Sequence, residues 1–168
     1  FSKKSNGKLK PSSDTLTHLE IYKNFKNIKS IVHTHSKYAV IWAQSNKSIP
    51  NLGTTHADYW LNDVPITSKL KNSEIKKNYE MNIGKKIVQK LKIIKNNVKM
   101  CPGILVQSHG PFTWGFNHED GFKNAERLEL IAELAYKSLI LNKNIKTNKV
   151  LIEKHFYRKH GKSKYYGQ

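Results

Sequence analysis

Apolar residues recur at helical spacing in four segments of this chain. Over residues 73–98 they step by three or four positions, which predicts one long helix with the serine at its start as N-cap. A second long helix is predicted near residues 120–141, and a C-terminal helix is predicted over residues 148–160. The segment after "PSSD" has a similar apolar face, so we expect a helix capped by Ser13 or Asp14.

Apolar runs of strand length alternate with these helices. Residues 28–36 predict a strand of about six residues, and residues 103–111 predict a buried strand that ends in His-Gly-Pro. A short strand is expected at residues 64–67, and a loop or short strand at residues 49–60. The alternation of the two element types favours a layered α/β domain, although it does not prove parallel strand order.

Two further segments carry weaker signals. Residues 37–45, "KYAVIWAQS", fit a short helix or a continued apolar run, and periodicity does not decide between them. The segments "PFTWG" and "NHEDG" are rich in Gly, Pro, Asn and Asp, and therefore predict a turn-rich connection before the second long helix.

Composition narrows the class of protein. The chain has 168 residues, which fits a single domain over residues 1–168 with a polar lead-in at residues 1–10. No apolar run reaches the roughly 18 residues that a membrane span needs, and the single cysteine is compatible with a reducing cytoplasm. We therefore expect a cytoplasmic protein without a membrane partner.

The formal net charge of +18 invites a nucleic-acid function. Only two of the 30 basic residues are arginine, however, and the lysines are scattered along the chain rather than concentrated in one stripe. Arginine is the usual side chain for bidentate contacts with bases and phosphates. We expect no dedicated nucleic-acid partner, only weak non-specific binding at low salt.

Three histidines stand at the ends of apolar, strand-like segments. His33 and His35 follow "SIV", and residues i and i+2 of a strand point to the same face, while His109 follows "ILVQS". Three neutral imidazoles leave an open coordination position, which is the arrangement of a catalytic metal. The alternative is that each histidine makes ordinary hydrogen bonds and His109 only opens the turn that follows it.

The start of the first predicted helix carries further candidate chemistry. Asp14 fits either a helix cap or a carboxylate that joins the metal site or handles protons. Ser12 and Ser13 lie beside it, where hydroxyls and free backbone N–H groups make an anion site that suits a phosphate. The alternative for "PSSD" is a simple capping turn.

Five motifs, in collinear order from Lys10 to Gln168, resemble the L-ribulose-5-phosphate 4-epimerase family within the class II aldolase superfamily. These motifs are "KPSSDT", "HTHS", "GTTHADYW", "SHGPFTWG" and "HFYRKHGKSKYYGQ". The resemblance implies a three-layer α/β/α fold around a mainly antiparallel sheet. It also implies a divalent metal, most simply zinc, and a homotetramer whose active sites lie between subunits.

The resemblance also implies roles for individual residues. Metal binding falls on Asp14, His33, His35 and His109. Substrate binding falls on Ser12, Ser13, Thr54 and His155, with the two serines on the phosphate. The acid/base pair falls on Asp58 and Tyr166, which reach the site from a neighbouring subunit in the family.

The implied reaction interconverts L-ribulose 5-phosphate and D-xylulose 5-phosphate by breaking and re-forming the C3–C4 bond. A class II aldolase for another ketose phosphate shares the histidines without needing the acid/base pair, so it stays open as an alternative. Family members carry an additional N-terminal stretch that helps to hold the phosphate, and the given sequence begins at Phe1 without it. We therefore expect an N-terminally incomplete domain, and an inactive fragment is the third alternative.

Overall fold

The computed structural model describes residues 10–94, 98–162 and 164–166. The lead-in predicted over residues 1–10 lies outside this part of the chain, apart from the exposed Lys10. The helices are α1 (Thr15–Asn24), α2 (Lys37–Gln44), α3 (Thr54–Ala57), α4 (Asn72–Lys76), α5 (Tyr79–Ile93), α6 (Asp120–Leu141) and α7 (Lys149–His160). The strands are β1 (Ser30–His33), β2 (Gly103–Val106) and β3 (Gly110–Gly115).

The three strands form one antiparallel sheet in the order β1-β3-β2, so β3 is central. His33 lies opposite Phe112, and Val106 lies opposite Gly110. Strand β1 has four residues, fewer than the number expected, because the chain leaves the sheet after His33 and enters α2 with Ser36 at its N-cap. The ambiguous segment 37–45 is therefore a helix.

The prediction of a turn over "PFTWG" is wrong, because this segment is the central strand. Pro111 is tolerated there because its partner Leu105 makes its backbone hydrogen bonds on the other side. The Leu105 N–H donates to the Pro65 carbonyl at 2.9 Å, and the Leu105 carbonyl accepts from the Thr67 N–H at 2.9 Å. The "NHEDG" segment does form the expected turn, in which the Asn117 side chain accepts from two backbone N–H groups before α6.

Helices cover both faces of the sheet. On one face the Thr113 hydroxyl donates to the Gly121 carbonyl of α6 at 3.0 Å. On the other face Phe112 makes an edge contact with His18 of α1, and α1 packs against α5. The result is a mixed α/β fold with helix, sheet and helix layers, as the sequence predicts. Along the described ranges, no helix combines the length and the apolar character that a membrane crossing requires.

The helix predicted over residues 73–98 is two helices. Asn78 adopts a left-handed backbone conformation with φ of 56°, which ends the helical path after α4 and starts α5 at Tyr79. The Asn82 side chain donates to the carbonyls of Glu74 and Lys77 at 2.9 and 2.8 Å and so caps the end of α4. The N-cap of α4 is Lys71 rather than the predicted Ser73.

The segment between α2 and α4 is less regular than predicted. The expected strand at residues 64–67 makes only isolated bridges, from Val64 to Ile49 and from Ile66 to Leu105. Part of the expected loop at residues 49–60 forms the one-turn helix α3. His56 in α3 is 5% exposed, and its Nε2–H donates to the Asn62 carbonyl at 3.1 Å, which joins α3 to the loop that follows Asp58.

Candidate metal centre

Two segments of the chain bring the three histidines to one place. His33 ends β1, and His35 follows it before α2 begins. His109 lies in the turn between β2 and β3, which Ser108 closes with a left-handed φ of 59°. Gly110 then passes so close to the other loop that an added Cβ would lie 2.8 Å from the Thr34 carbonyl oxygen. This close approach requires glycine and sets the distance between the two loops.

The imidazoles of His33, His35 and His109, here called the histidine triad, converge. One ring nitrogen of each lies within 4.8 Å of the others, and the ring centroids are 4.7 to 5.0 Å apart. The Nε2 atoms of His33 and His35 are 3.1 Å apart. Two nitrogens bound tetrahedrally to zinc at ordinary bond lengths are separated by about 3.3 Å. The triad therefore has the spacing of a metal-binding site.

The backbone determines which nitrogen of His33 faces this centre. Its Nδ1 lies 2.9 Å from the Pro111 carbonyl oxygen, which can only accept, so Nδ1 carries the proton and donates it. In the neutral ring, Nε2 then holds the lone pair that a metal needs. The ring is also stacked on Phe112 at a centroid distance of 4.1 Å, which holds its orientation. These donors fit a divalent cation.

The electrostatic environment favours the neutral rings of His33 and His109. Burial lowers the pKa of His33, and burial together with the neighbouring imidazoles lowers the pKa of His109. The Asp14 carboxylate acts in the opposite direction on both groups, which places its negative charge near the triad. Two imidazoles that resist protonation beside a carboxylate are suited to binding a cation.

Asp14 stands at the N-cap position of α1, yet its side chain makes no capping hydrogen bond. The carboxylate is therefore not used as a helix cap, which was one of its two expected roles. Ser12 and Ser13 precede it and are both exposed, and the Ser12 hydroxyl accepts from the Asp14 backbone N–H at 3.3 Å. The predicted phosphate serines thus lie directly before the carboxylate in the chain and are open to solvent.

The other predicted residues form a second group. Asp58 lies 3.2 Å from the Arg158 guanidinium, 3.0 Å from the Lys159 ammonium and 3.5 Å from the His155 ring. The Arg158 guanidinium also lies 4.2 Å from the centroid of the Tyr166 ring. Asp58, His155, Arg158, Lys159 and Tyr166 are here called the Asp58 cluster. Among the residues that the structure describes, no hydrogen bond or ion pair joins this cluster to the histidine triad.

The Asp58 carboxylate is strongly biased towards its ionised form. Partial burial raises its pKa, but Lys159 and Arg158 outweigh burial and hold the pKa below its ordinary value. Thr54 lies at the start of α3, four residues before Asp58, and lines a separate cleft of about 240 Å³. The structure therefore brings Asp58, His155 and Tyr166 together and leaves Thr54 beside them.

Comparison with known proteins identifies the family. Residues 2–136 match the family described as Class II Aldolase and Adducin N-terminal domain. This chain is a member of that family. The match covers most of the sequence and includes the histidine triad, Asp14 and Asp58.

Solved structures support the class II aldolase fold. An L-fuculose 1-phosphate aldolase superposes with a TM-score of 0.70 and 20% identity, over 90% of this chain and 65% of that chain. YgbL from Escherichia coli superposes with a TM-score of 0.63 and 23% identity, over 88% of this chain and 66% of that chain. A sugar-phosphate aldolase from Thermotoga maritima superposes with a TM-score of 0.58 and 21% identity, over 85% of this chain and 59% of that chain. The present chain thus spans less than two thirds of the length of each of these three proteins.

Several residues of the class II aldolase-like site carry no clear sequence signal. The Tyr79 hydroxyl lies 3.4 Å from His109 Nδ1. Burial, together with the Asp14 and Glu80 carboxylates, raises the pKa of the phenol.

Two further contacts lie near the triad. The Glu129 carboxylate of α6 accepts hydrogen bonds from the backbone N–H groups that begin α2, shortly after the loop that carries His35. His18 lies beside Phe112, and its buried Nε2 makes no hydrogen bond with the residues that the structure describes. These contacts join distant parts of the sequence, so no local pattern reveals them.

Proposed function

We propose that this chain is a metal-dependent enzyme that interconverts L-ribulose 5-phosphate and D-xylulose 5-phosphate. Membership of the class II aldolase family supports an activity of the aldolase or epimerase type on a sugar phosphate. The observation that carries the proposal is the convergence of the histidine triad beside the Asp14 carboxylate. The chain has a single cysteine, the buried Cys101, which is consistent with a cytoplasmic location.

The metal site in this proposal consists of the triad with Asp14 as the associated carboxylate. Imidazole nitrogens suit zinc and related divalent ions, and three of them leave room for substrate oxygens. A divalent ion held there supplies a Lewis acid, which stabilises the negative charge that develops when the C3–C4 bond breaks. Ser12 and Ser13 bind the phosphate at the start of α1 and keep the departing fragment in the site.

The Asp58 cluster supplies the acid and the base. The C4 hydroxyl loses its proton to one of Asp58 and Tyr166 as the C3–C4 bond breaks and C4 becomes an aldehyde carbon. The aldehyde then turns its other face to the C3 carbanion equivalent, the bond re-forms, and the other group returns a proton to the new C4 oxygen. His155 and Thr54 lie beside this pair and contact the substrate in the proposal.

In this proposal the histidine triad and the Asp58 cluster meet between subunits. Because the Asp58 cluster makes its polar contacts apart from the triad of its own chain, we propose that it serves the triad of a neighbouring copy in a homotetramer. Exposed apolar side chains on α6 support such an assembly, since Leu141 is 88% exposed and Leu130 and Leu134 are more than 40% exposed.

An aldolase for another ketose phosphate is the second candidate, because two of the superposed structures are named as sugar-phosphate aldolases. Product analysis separates the two functions. Incubation of L-ribulose 5-phosphate with the metal-loaded protein is expected to give D-xylulose 5-phosphate without accumulating fragments. Release of two fragments from this or another ketose phosphate would support the aldolase, and no turnover by a metal-loaded assembly would exclude both activities.

A further inference from the structure

We infer that Tyr79 is a positioning residue whose hydroxyl accepts a hydrogen bond from His109 Nδ1 and so stabilises the tautomer that binds a metal through Nε2. The Tyr79 hydroxyl lies 3.4 Å from His109 Nδ1, and the two rings are nearly parallel, with centroids 6.2 Å apart and an interplanar angle of 19°. The hydroxyl thus occupies the position next to His109 that the Pro111 carbonyl occupies next to His33. The inference rests on the proposed metal site.

The direction of this hydrogen bond is coupled to metal binding. If the phenol donates to Nδ1, a neutral His109 carries its proton on Nε2 and cannot bind a metal through that atom. If Nδ1–H donates to the phenol oxygen, Nε2 has the free lone pair. A metal on Nε2 therefore selects the second arrangement, and the acceptor oxygen of Tyr79 stabilises it.

The fold places Tyr79 there by two devices. The left-handed turn at Asn78 ends α4 and starts α5 with Tyr79 as its first residue. The Thr17 hydroxyl of α1 donates to the Glu80 carbonyl at 2.6 Å, which fixes the start of α5 against the helix that begins after Asp14. Gly84 permits this close packing, because an added Cβ would lie 2.6 Å from the Cβ of Glu20.

The decisive variant is Tyr79→Phe, which keeps the stacked ring and removes only the hydroxyl. Loss of an outer hydrogen-bond partner of a ligating histidine is expected to weaken Zn²⁺ binding by about 10- to 100-fold. Affinity is measured by competition with a chelating dye on the 168-residue chain. Tyr157→Phe is the matched control, because Tyr157 is an exposed tyrosine on α7 and its variant should bind Zn²⁺ like the parent.

Two further measurements make the outcome unambiguous. Thermal unfolding of the metal-free Tyr79→Phe protein should match that of the parent, since a positioning role does not require the hydroxyl for folding. The imidazole nitrogens of the Zn²⁺-loaded parent, followed by NMR, should show His109 protonated on Nδ1. Unchanged Zn²⁺ affinity in Tyr79→Phe, or a proton on Nε2, would overturn the inference while leaving the triad intact. A parent chain that binds no Zn²⁺ would instead remove the proposed metal site itself.

Discussion

At the scale of single residues, the chemistry depends on which atoms carry protons. The Pro111 carbonyl leaves the Nε2 atom of His33 free, and the cations around Asp58 keep that carboxylate ionised. These are two separate devices in two separate places. One prepares a ligand for a metal, and the other keeps a carboxylate in the deprotonated form that can accept a proton, so a substitution at one should leave the other intact.

Asp58→Asn tests this separation. The amide is nearly isosteric but cannot accept a proton, so epimerisation should fall by about 100-fold or more while metal content stays unchanged. Initial rates and metal analysis of the same preparation provide the comparison. Asp63→Asn, on the exposed loop that follows α3, is the control. Wild-type rates in Asp58→Asn would remove this residue from the proposed mechanism.

His56 gives a prediction about pH. Burial lowers its pKa from 6.5 to about 4. The unfolded chain therefore binds more protons than the folded chain between these values, so the free energy of unfolding should decrease as the pH falls from 6.5 to 4. This single group contributes a loss of roughly 3 kcal/mol over that range. NMR titration of the His56 ring should give a midpoint near 4, and a midpoint near 6.5 would show that burial does not lower the pKa of this ring.

The residues of the site differ in how far the sequence predicts them. The triad and Asp14 stand in short motifs of the sequence. Period-two spacing predicts His33 and His35 on one side of a strand, but β1 ends at His33 and His35 reaches the triad from the loop that follows. The resemblance implied Asp58, His155 and Tyr166. Only the structure shows that Asp58 contacts His155 directly and is joined to Tyr166 through Arg158. Tyr79 is missed because it lies 30 positions from His109, and side-chain pairing at that distance depends on the packing of α5.

At the scale of elements, turns and helix ends determine the geometry of the site. The close approach of Gly110 to Thr34 brings the turn before β3 against the loop that carries His33 and His35. Strong local signals predicted α6 and α7 correctly. The sequence did not predict β3, because Pro111 is tolerated there only through the backbone hydrogen bonds that Leu105 makes elsewhere. It also did not predict the break between α4 and α5, which depends on the left-handed backbone of Asn78.

Gly110→Ala tests the importance of that approach. The added Cβ would meet the Thr34 carbonyl at 2.8 Å and the edges of His33 and His35 at 3.6 and 3.7 Å, so the two loops must separate. We expect a loss of stability of about 1–3 kcal/mol and weaker metal binding, measured by denaturant unfolding and chelator competition. Gly53→Ala is the control, because its added Cβ would have no atom of the described residues within 4 Å. Equal effects in the two variants would show that the approach of the loops is unimportant.

At the scale of the whole molecule, the arrangement of the histidine triad and the Asp58 cluster predicts an assembly whose active sites are shared between subunits. Within the described residues the Asp58 cluster has its own partners on α7, and the triad has its own on β3 and α5. That residues 1–168 form one domain stays a prediction. The class II aldolase fold itself is shown by the family match and the superposed structures.

Complementation tests the shared site. His33→Ala and Asp58→Asn should each be inactive, but subunits mixed at equal ratio should combine an intact triad with an intact Asp58 cluster in about a quarter of the sites. Activity recovered after dissociation and reassembly of the mixture provides the measurement. A mixed assembly that stays inactive would show that each chain must supply both groups to its own site.

The most direct test of the metal centre is the metal content of the purified chain, combined with an anomalous-scattering map of its crystals. We expect one divalent ion per chain, with its anomalous peak between the ring nitrogens of His33, His35 and His109, and loss of that ion in His33→Ala and in His109→Ala. A chain without stoichiometric metal after reconstitution, or an ion bound elsewhere with the three rings unligated, would contradict the proposed chemistry.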